Sequence, residues 1–161
     1  MKDFESARNT AQQIIRGETS STELVERSLG RIKRLNPSIN AIVTLDEERS
    51  LVAAAKQADA QRGRDNLPPL HGLPVSIKDA FETAGLRTTS SYPPLANHVP
   101  SRDATVVARL RAAVAIVLGK TNLPELAGNP QCWSPLFGAT NNPCGGSGLV
   151  VLLPHLRVLE A

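Results

Sequence analysis

The chain has 161 residues, 41% of them hydrophobic and 20% charged, with a net charge of +3 at neutral pH. That is enough for one globular domain with a buried core, and the composition is ordinary for one. Aromatic residues make up only 3%, and Lys and Arg are scattered among Asp and Glu, so neither a stacking surface nor a basic footprint for nucleic acid or membrane is present.

Phe4, Ala7, Ala11, Ile14 and Ile15 share one face at spacings of three and four, which predicts an opening amphipathic helix stopped by Gly17. Ser20 with Glu23 forms a capping box for a second helix, whose stripe Leu24, Val25, Leu29, Ile32 and Leu35 is expected to end at Asn36-Pro37. Residues 40–45 read as a short strand. Asp46 then caps an alanine-rich third helix through Ala60, closed by Gly63. Residues 63–74 are a proline- and glycine-rich loop feeding a strand over 73–77. Asp103 is expected to cap a fourth helix carrying Val106, Val107, Leu110 and Ala113, and 115–118 reads as a fully buried strand. Helices alternating with buried strands predict an α/β fold with a mixed sheet flanked by helices, behind an amino-terminal helical leader.

After Asn122 the chain becomes loop-rich, and long ordered loops in compact domains tend to carry function. The residues from Leu149 onward break that style and read as a divergent tail, giving a division into 1–148 and 149–161. Cys132 and Cys144 are too few for a disulfide framework and lie in no metal-ligand spacing. Reduced thiols, a polar amino terminus unlike a signal peptide, and no apolar run long enough for a bilayer give a cytoplasmic expectation.

The segment 73–80, LPVSIKDA, delivers Lys78 at the end of an apolar strand, where a desolvated amine can serve as a general base. Gly119-Lys120-Thr121 follows a buried strand, but Val114 stands where a phosphate loop needs its first glycine, so a strand-to-loop turn is expected there. His71, His98 and His155 lie far apart without carboxylate partners and read as loop or surface residues. No metal or cofactor is expected. Cys144-Gly145-Gly146-Ser147-Gly148 places a hydroxyl in backbone freed by glycine, and with a buried lysine it suggests Ser–Lys hydrolase chemistry, which needs no imidazole.

Four blocks in order, LHGLPVSIKDAFETAGLRTTSS, DATVVARLRAAVAIVLGKTNLPELAG, SPLFGATNNP and GGS, resemble the amino-terminal part of an amidase-signature enzyme. The resemblance implies a Ser–cis-Ser–Lys triad acting on amide C–N bonds of small molecules, with no cofactor. On that pattern Lys78 corresponds to the triad lysine and Ser147 to the bridging serine, and a second serine is the nucleophile.

The sequence departs from the family pattern in three places. Val114 replaces a glycine usual in its block, which predicts local backbone strain. The run after Pro143 is shortened, which bears on the register of Ser147. The nucleophile, expected some two dozen residues past the bridging serine in similar proteins, has no counterpart before Ala161. The expectation is therefore an amino-terminal fragment with little activity alone. A tRNA-dependent amidotransferase A subunit is the alternative parent, and a non-catalytic binding fragment is a third reading.

Overall fold

The computed structural model of the protein describes residues 5–143. Helix α1 (Ala7–Arg16) starts where Ser6 Oγ accepts from the Asn9 amide at 3.2 Å and stops at Gly17, in the left-handed conformation at φ 75°. It buries Ala11 and Ile14 but leaves Ile15 exposed. Helix α2 (Ser21–Ile39) is capped by Ser20, whose Oγ accepts from the Glu23 amide at 3.0 Å. The Glu23 carboxylate takes a bond from Thr19 Oγ1 instead of completing the box.

The second helix outruns its expected end. Pro37 lies in the last turn of α2, which stops only at Asn40 in the left-handed conformation. Asn36 makes this end secure: its Oδ1 accepts from the amides of Ala41 and Ile42, and its Nδ2 donates to Ile42 O. Helix α3 (Glu48–Gln61) is not capped by Asp46, whose carboxylate reaches only the adjacent Glu47 amide. Its carboxylate of note is Asp59, which caps α2 instead, accepting from the amides of Ser21 (2.7 Å) and Thr22 (3.0 Å) and from Thr22 Oγ1 (2.7 Å). Burial works against ionisation of Asp59, but the Thr22 and Ser21 bonds outweigh it and hold its pKa below the usual value.

Strands β1 (Ile42–Leu45), β2 (Pro74–Lys78) and β3 (Ile116–Thr121) form a mixed sheet in the order β1-β3-β2. Strand β3 is central, antiparallel to β1 and parallel to β2. The parallel pair requires a crossover, supplied by residues 79–115 with helix α4 (Thr105–Ala112). One core joins α1, α4 and the inner face of β2 through Ala11, Ile14, Val75, Ile77, Val107 and Val117. A second joins α2 and α3 to β3 through Val25, Leu29, Ile32, Leu51, Ile116 and Leu118. Strand β3 is thus covered on both faces, which is why it reads as a continuous apolar run. It also extends through Gly119-Lys120-Thr121, so the expected strand-to-loop turn is strand. A hairpin of β4 (Trp133–Ser134) and β5 (Gly138–Ala139) completes the described residues.

Asp103 does not cap α4 either. Its Oδ1 accepts from the Ala84 amide at 2.7 Å and its Oδ2 pairs with Arg111 at 3.2 Å, so it ties the crossover loop to the helix. Between α4 and β3, Val114 stands at φ 62°, a left-handed conformation that costs a β-branched residue most. The strain expected from the sequence is present. Val114→Gly is expected to stabilise the chain by about 1 kcal/mol, relief of strain exceeding the added entropy of the unfolded glycine. A urea midpoint that stays level or falls would show that the valine is accommodated without cost.

Candidate active site

Strands β2 and β3 end side by side, with Ile77 opposite Lys120 and Lys78 opposite Thr121. Cross-strand partners share a face and successive residues alternate, so the two lysines leave the sheet on opposite faces. Lys78 is half-buried, beyond the inward-facing Val75 and Ile77. Its carbonyl accepts from the Phe81 amide at 3.0 Å, and its ammonium makes no hydrogen bond or ion pair among the described residues. The lysine carried fully into the interior is Lys120, at 0% exposure. Sequence reasoning placed the buried amine one strand away, because alternate residues of β2, Lys78 among them, are only half-buried whereas β3 is buried along nearly its whole length.

Lys120 Nζ donates to Phe81 O, to Thr83 Oγ1 at 2.9 Å and to Thr88 Oγ1 at 2.9 Å. All three donors of the ammonium are used, and all three acceptors belong to the loop leaving β2. Burial pushes the Lys120 pKa down to about 8, against the opposing pull of Asp79, Asp103 and Glu82. Asp79, fully buried, anchors the far end of that loop: its Oδ2 accepts from Thr89 N at 3.1 Å and Thr89 Oγ1 at 2.5 Å. Its Oδ1 has no partner among the described residues. Burial raises the Asp79 pKa, while the Thr89 bonds, Lys120 and Arg87 act in the opposite direction.

The main chain closes the same loop. The Asp79 amide donates to Thr121 O and the Ser90 amide to Asp79 O, both at 3.1 Å. Ser90 and Ser91 then take left-handed conformations at φ 51° and 53°, held by Ser91 Oγ donating to Leu123 O at 2.6 Å. Left-handed backbone at two consecutive serines is a cost that persists only when its surroundings fix it. The arrangement can hold the end of β2 rigidly and present Lys78 on the opposite face.

The lowered pKa has a measurable consequence. Lys120 holds its proton less firmly in the folded chain, so between about pH 8 and 10.5 the unfolded chain binds more protons and stability rises with pH. Across that window the rise amounts to about 3 kcal/mol, and below it both states are protonated and the slope vanishes. Urea unfolding of the native chain minus that of Lys120→Met, followed through this pH range, isolates the contribution. Identical slopes would mean that Lys120 titrates as a solvated amine.

Ser147 and Cys144 lie outside the described residues, as does His155. His71 lies in the loop before β2, as read from the sequence, but it is buried rather than on the surface, with Nε2 2.9 Å from Ala58 O, because that loop folds down onto α3. His98 is half-exposed, 3.5 Å from Glu82. Cys132 is free and buried, and the described residues contain no His/Cys/Asp/Glu cluster able to hold a metal ion.

The hairpin block 134–143 is fastened to the junction of α2 and β1. Asn40 Nδ2 donates to Phe137 O (2.7 Å) and Ala139 O (3.0 Å), and Thr140 Oγ1 donates to Asn40 O (2.8 Å). Asn122, next after β3, donates to Gly138 O and Thr140 Oγ1, each at 3.1 Å. The sequence carries little warning of Lys120, Asp79 and Asn40. Their one signal is polar residues inside or abutting apolar runs, with Thr83, Thr88 and Thr89 available as partners.

The amidase family model matches residues 23–148. Among curated proteins, the glutamyl-tRNA(Gln) amidotransferase A subunit of Roseiflexus sp. is 42% identical over 132 residues, covering 82% of this chain and 27% of that protein. The protein of the same name from Rhodopirellula baltica is 43% identical over 139 residues, covering 86% and 28%. Among solved structures, native peptide amidase from Stenotrophomonas maltophilia superposes with a TM-score of 0.76 at 33% identity, over 86% of this chain and 30% of that one. The 6-aminohexanoate cyclic dimer hydrolase in complex with substrate gives a TM-score of 0.76 at 29% identity, over 90% and 29%. The chain thus spans little more than a quarter of the length of the curated relatives it matches.

Proposed function

The chain belongs to the amidase family, and from that premise we propose that it is part of an enzyme hydrolysing the C–N bond of a small-molecule amide, with Lys78 as general base. The observation that carries this reading is the position of Lys78 at the carboxyl end of a parallel strand, beside Thr121, with its amine unpaired by any described residue. Ligands of open α/β sheets bind at the carboxyl ends of their strands. Ser147 is proposed as the bridging hydroxyl between Lys78 and a nucleophilic serine, on the family resemblance of its glycine-flanked run. In this scheme neutral Lys78 takes a proton from Ser147 as Ser147 takes one from the nucleophile, whose oxygen then attacks the amide carbonyl. The leaving amine is protonated by return of that proton, and water releases the acyl group.

The same reading assigns 1–148 to the amidase domain and 149–161 to a divergent tail, supported by a family match that runs to residue 148. A cytoplasmic location is part of the proposal, supported by the sparse cysteines. No helix among the described residues is long and apolar enough to cross a membrane.

The test replaces the matching segment of the Stenotrophomonas maltophilia peptide amidase by residues 23–143 of this chain and follows ammonia release from a peptide amide. Turnover is expected. A folded graft without turnover would overturn the assignment of this segment. Extending the graft to residue 148 examines Ser147 separately, because loss of turnover on that extension alone would place Ser147 out of register.

A second reading rests on the identities. The amidotransferase proteins are 42–43% identical to this chain, and the two solved hydrolases are 29–33%. On it the parent protein supplies ammonia for aminoacyl-tRNA amidation. Stable co-purification with a tRNA-binding protein from its own cells would favour this reading, and turnover of simple amides without a partner would favour the first.

A further inference from the structure

We propose that Lys120 is a positioning residue for Lys78, gathering Phe81, Thr83 and Thr88 from the opposite face of the sheet and so locking the turn that leads out of β2. This inference rests on the base role proposed for Lys78 and adds the device that aims it.

The Lys78 ammonium has no side-chain anchor among the described residues, so what the fold fixes is the backbone from which its side chain departs and its Cα–Cβ direction. That backbone is pinned on both sides. Ahead of it, the ladder fixes Ile77 and Lys78 against Lys120 and Thr121. Behind it, Phe81 N donates to Lys78 O and Asp79 N to Thr121 O. Phe81, the residue that closes the turn onto Lys78, receives Lys120 Nζ on its own carbonyl. Thr83 and Thr88, also bound to Nζ, extend the hold along the loop, and Thr89 on Asp79 fixes its end.

The energetics make this hold stiff. An ammonium at 0% exposure is tolerable only while its three acceptors surround it. Opening the loop would cost the three charge-assisted hydrogen bonds of the ammonium, with water only partly replacing them beside the apolar strand, so the loop and the ammonium each favour the other. An apolar residue in the same place would leave the loop free to open without that penalty. Thr83 and Thr88 fit a positioning network because each also donates onward, Thr83 to Phe81 O and Thr88 to Leu86 O.

The experiment reads the Lys78 amine directly in the 161-residue chain. Sites are acetylated by a limiting acyl donor, and the rate at Lys78 is taken relative to the exposed Lys33 and Lys56 by mass spectrometry. In Lys120→Met this ratio is expected to change by about threefold or more, as a loosened strand end shifts the point from which the Lys78 side chain departs and so the surroundings of its amine. Leu29→Ala, in the other core, controls for general destabilisation and should leave the ratio where it is. If Lys120→Met does not fold, the double variant Thr83→Val/Thr88→Val, which removes two acceptors at nearly constant volume, decides. An unchanged ratio in the folded variant, or an equal change in Leu29→Ala, overturns the proposal. Because amine chemistry and not turnover is measured, failure of the amide-hydrolysis reading and failure of this inference give different results.

Discussion

Lys78→Ala in the grafted peptide amidase is expected to lower kcat/KM for ammonia release by about 10⁴-fold or more, the scale on which loss of a catalytic-triad member acts. The fall should lie almost entirely in kcat, because an amine that moves a proton between hydroxyls contributes in the transition state and little to substrate binding. Lys78→Arg tests the chemistry more sharply than alanine. Arginine retains the charge and length but does not deprotonate at accessible pH, so it should be as inactive as alanine if the neutral amine is the working form. Rescue by arginine would assign Lys78 an electrostatic role instead. Lys33→Ala, on the exposed face of α2, serves as the reference and should be silent. A loss of less than about tenfold in Lys78→Ala would remove Lys78 from the proton path altogether, since general-base contributions begin at about 10²-fold.

The half-buried setting of Lys78 leaves its amine without a charged partner among the described residues. Asp79, its sequence neighbour, is directed elsewhere, with its Oδ2 on Thr89. The fold therefore separates two roles that the SIKDA sequence juxtaposes: Asp79 holds the loop and Lys78 stays unpaired. Alternation along the strand end produces the separation, since consecutive residues point to opposite faces.

This alternation also explains what the sequence could and could not disclose. The apolar stripes of α1 and α2 and the buried run 115–118 are local patterns with a period, and the corresponding elements are present. Capping by Asp46 and Asp103 was legible only as residue type. Each carboxylate found a nearer or better donor, Glu47 N for one and Ala84 N with Arg111 for the other, and no spacing rule reveals that competition. Pro37 looked like a helix end because proline disfavours helix before it, yet the helix runs on through Ile39, and Asn36 fastens its end to the start of β1. Lys120 was the most consequential surprise. A glycine and lysine after four apolar residues look like the end of a strand, and the burial of that lysine depends on acceptors that lie 32 to 39 residues earlier in the chain. His71 escaped for the same reason, its partner being the Ala58 carbonyl of another element.

The residue beside Lys120 supplies the largest expected effect on stability. Gly119 sits in the central strand where β1 passes so close that a Cβ would collide with Thr44 O and lie 3.0 Å from Leu45 Cα. Both obstacles are backbone, so no rotamer change can make room. Strand β1 would have to shift or leave the sheet, and the ladder pairs Leu45–Gly119 and Thr44–Lys120 would go with it. Gly119→Ala is therefore expected to cost about 3 kcal/mol or more, above the usual overpacking penalty because main chain and not side chain must yield. Gly30 provides the matched contrast. It lies inside α2 with nothing within 4 Å of where an added methyl would sit, so Gly30→Ala should stabilise by about 0.5–1 kcal/mol through helix propensity and a less flexible unfolded chain. Urea unfolding of the two variants should place them on opposite sides of the native chain. If Gly119→Ala unfolds at the native midpoint, the close approach of β1 to β3 is not a feature of the folded protein, and the placement of Lys120 beneath the loop, which depends on the same strand pair, fails with it.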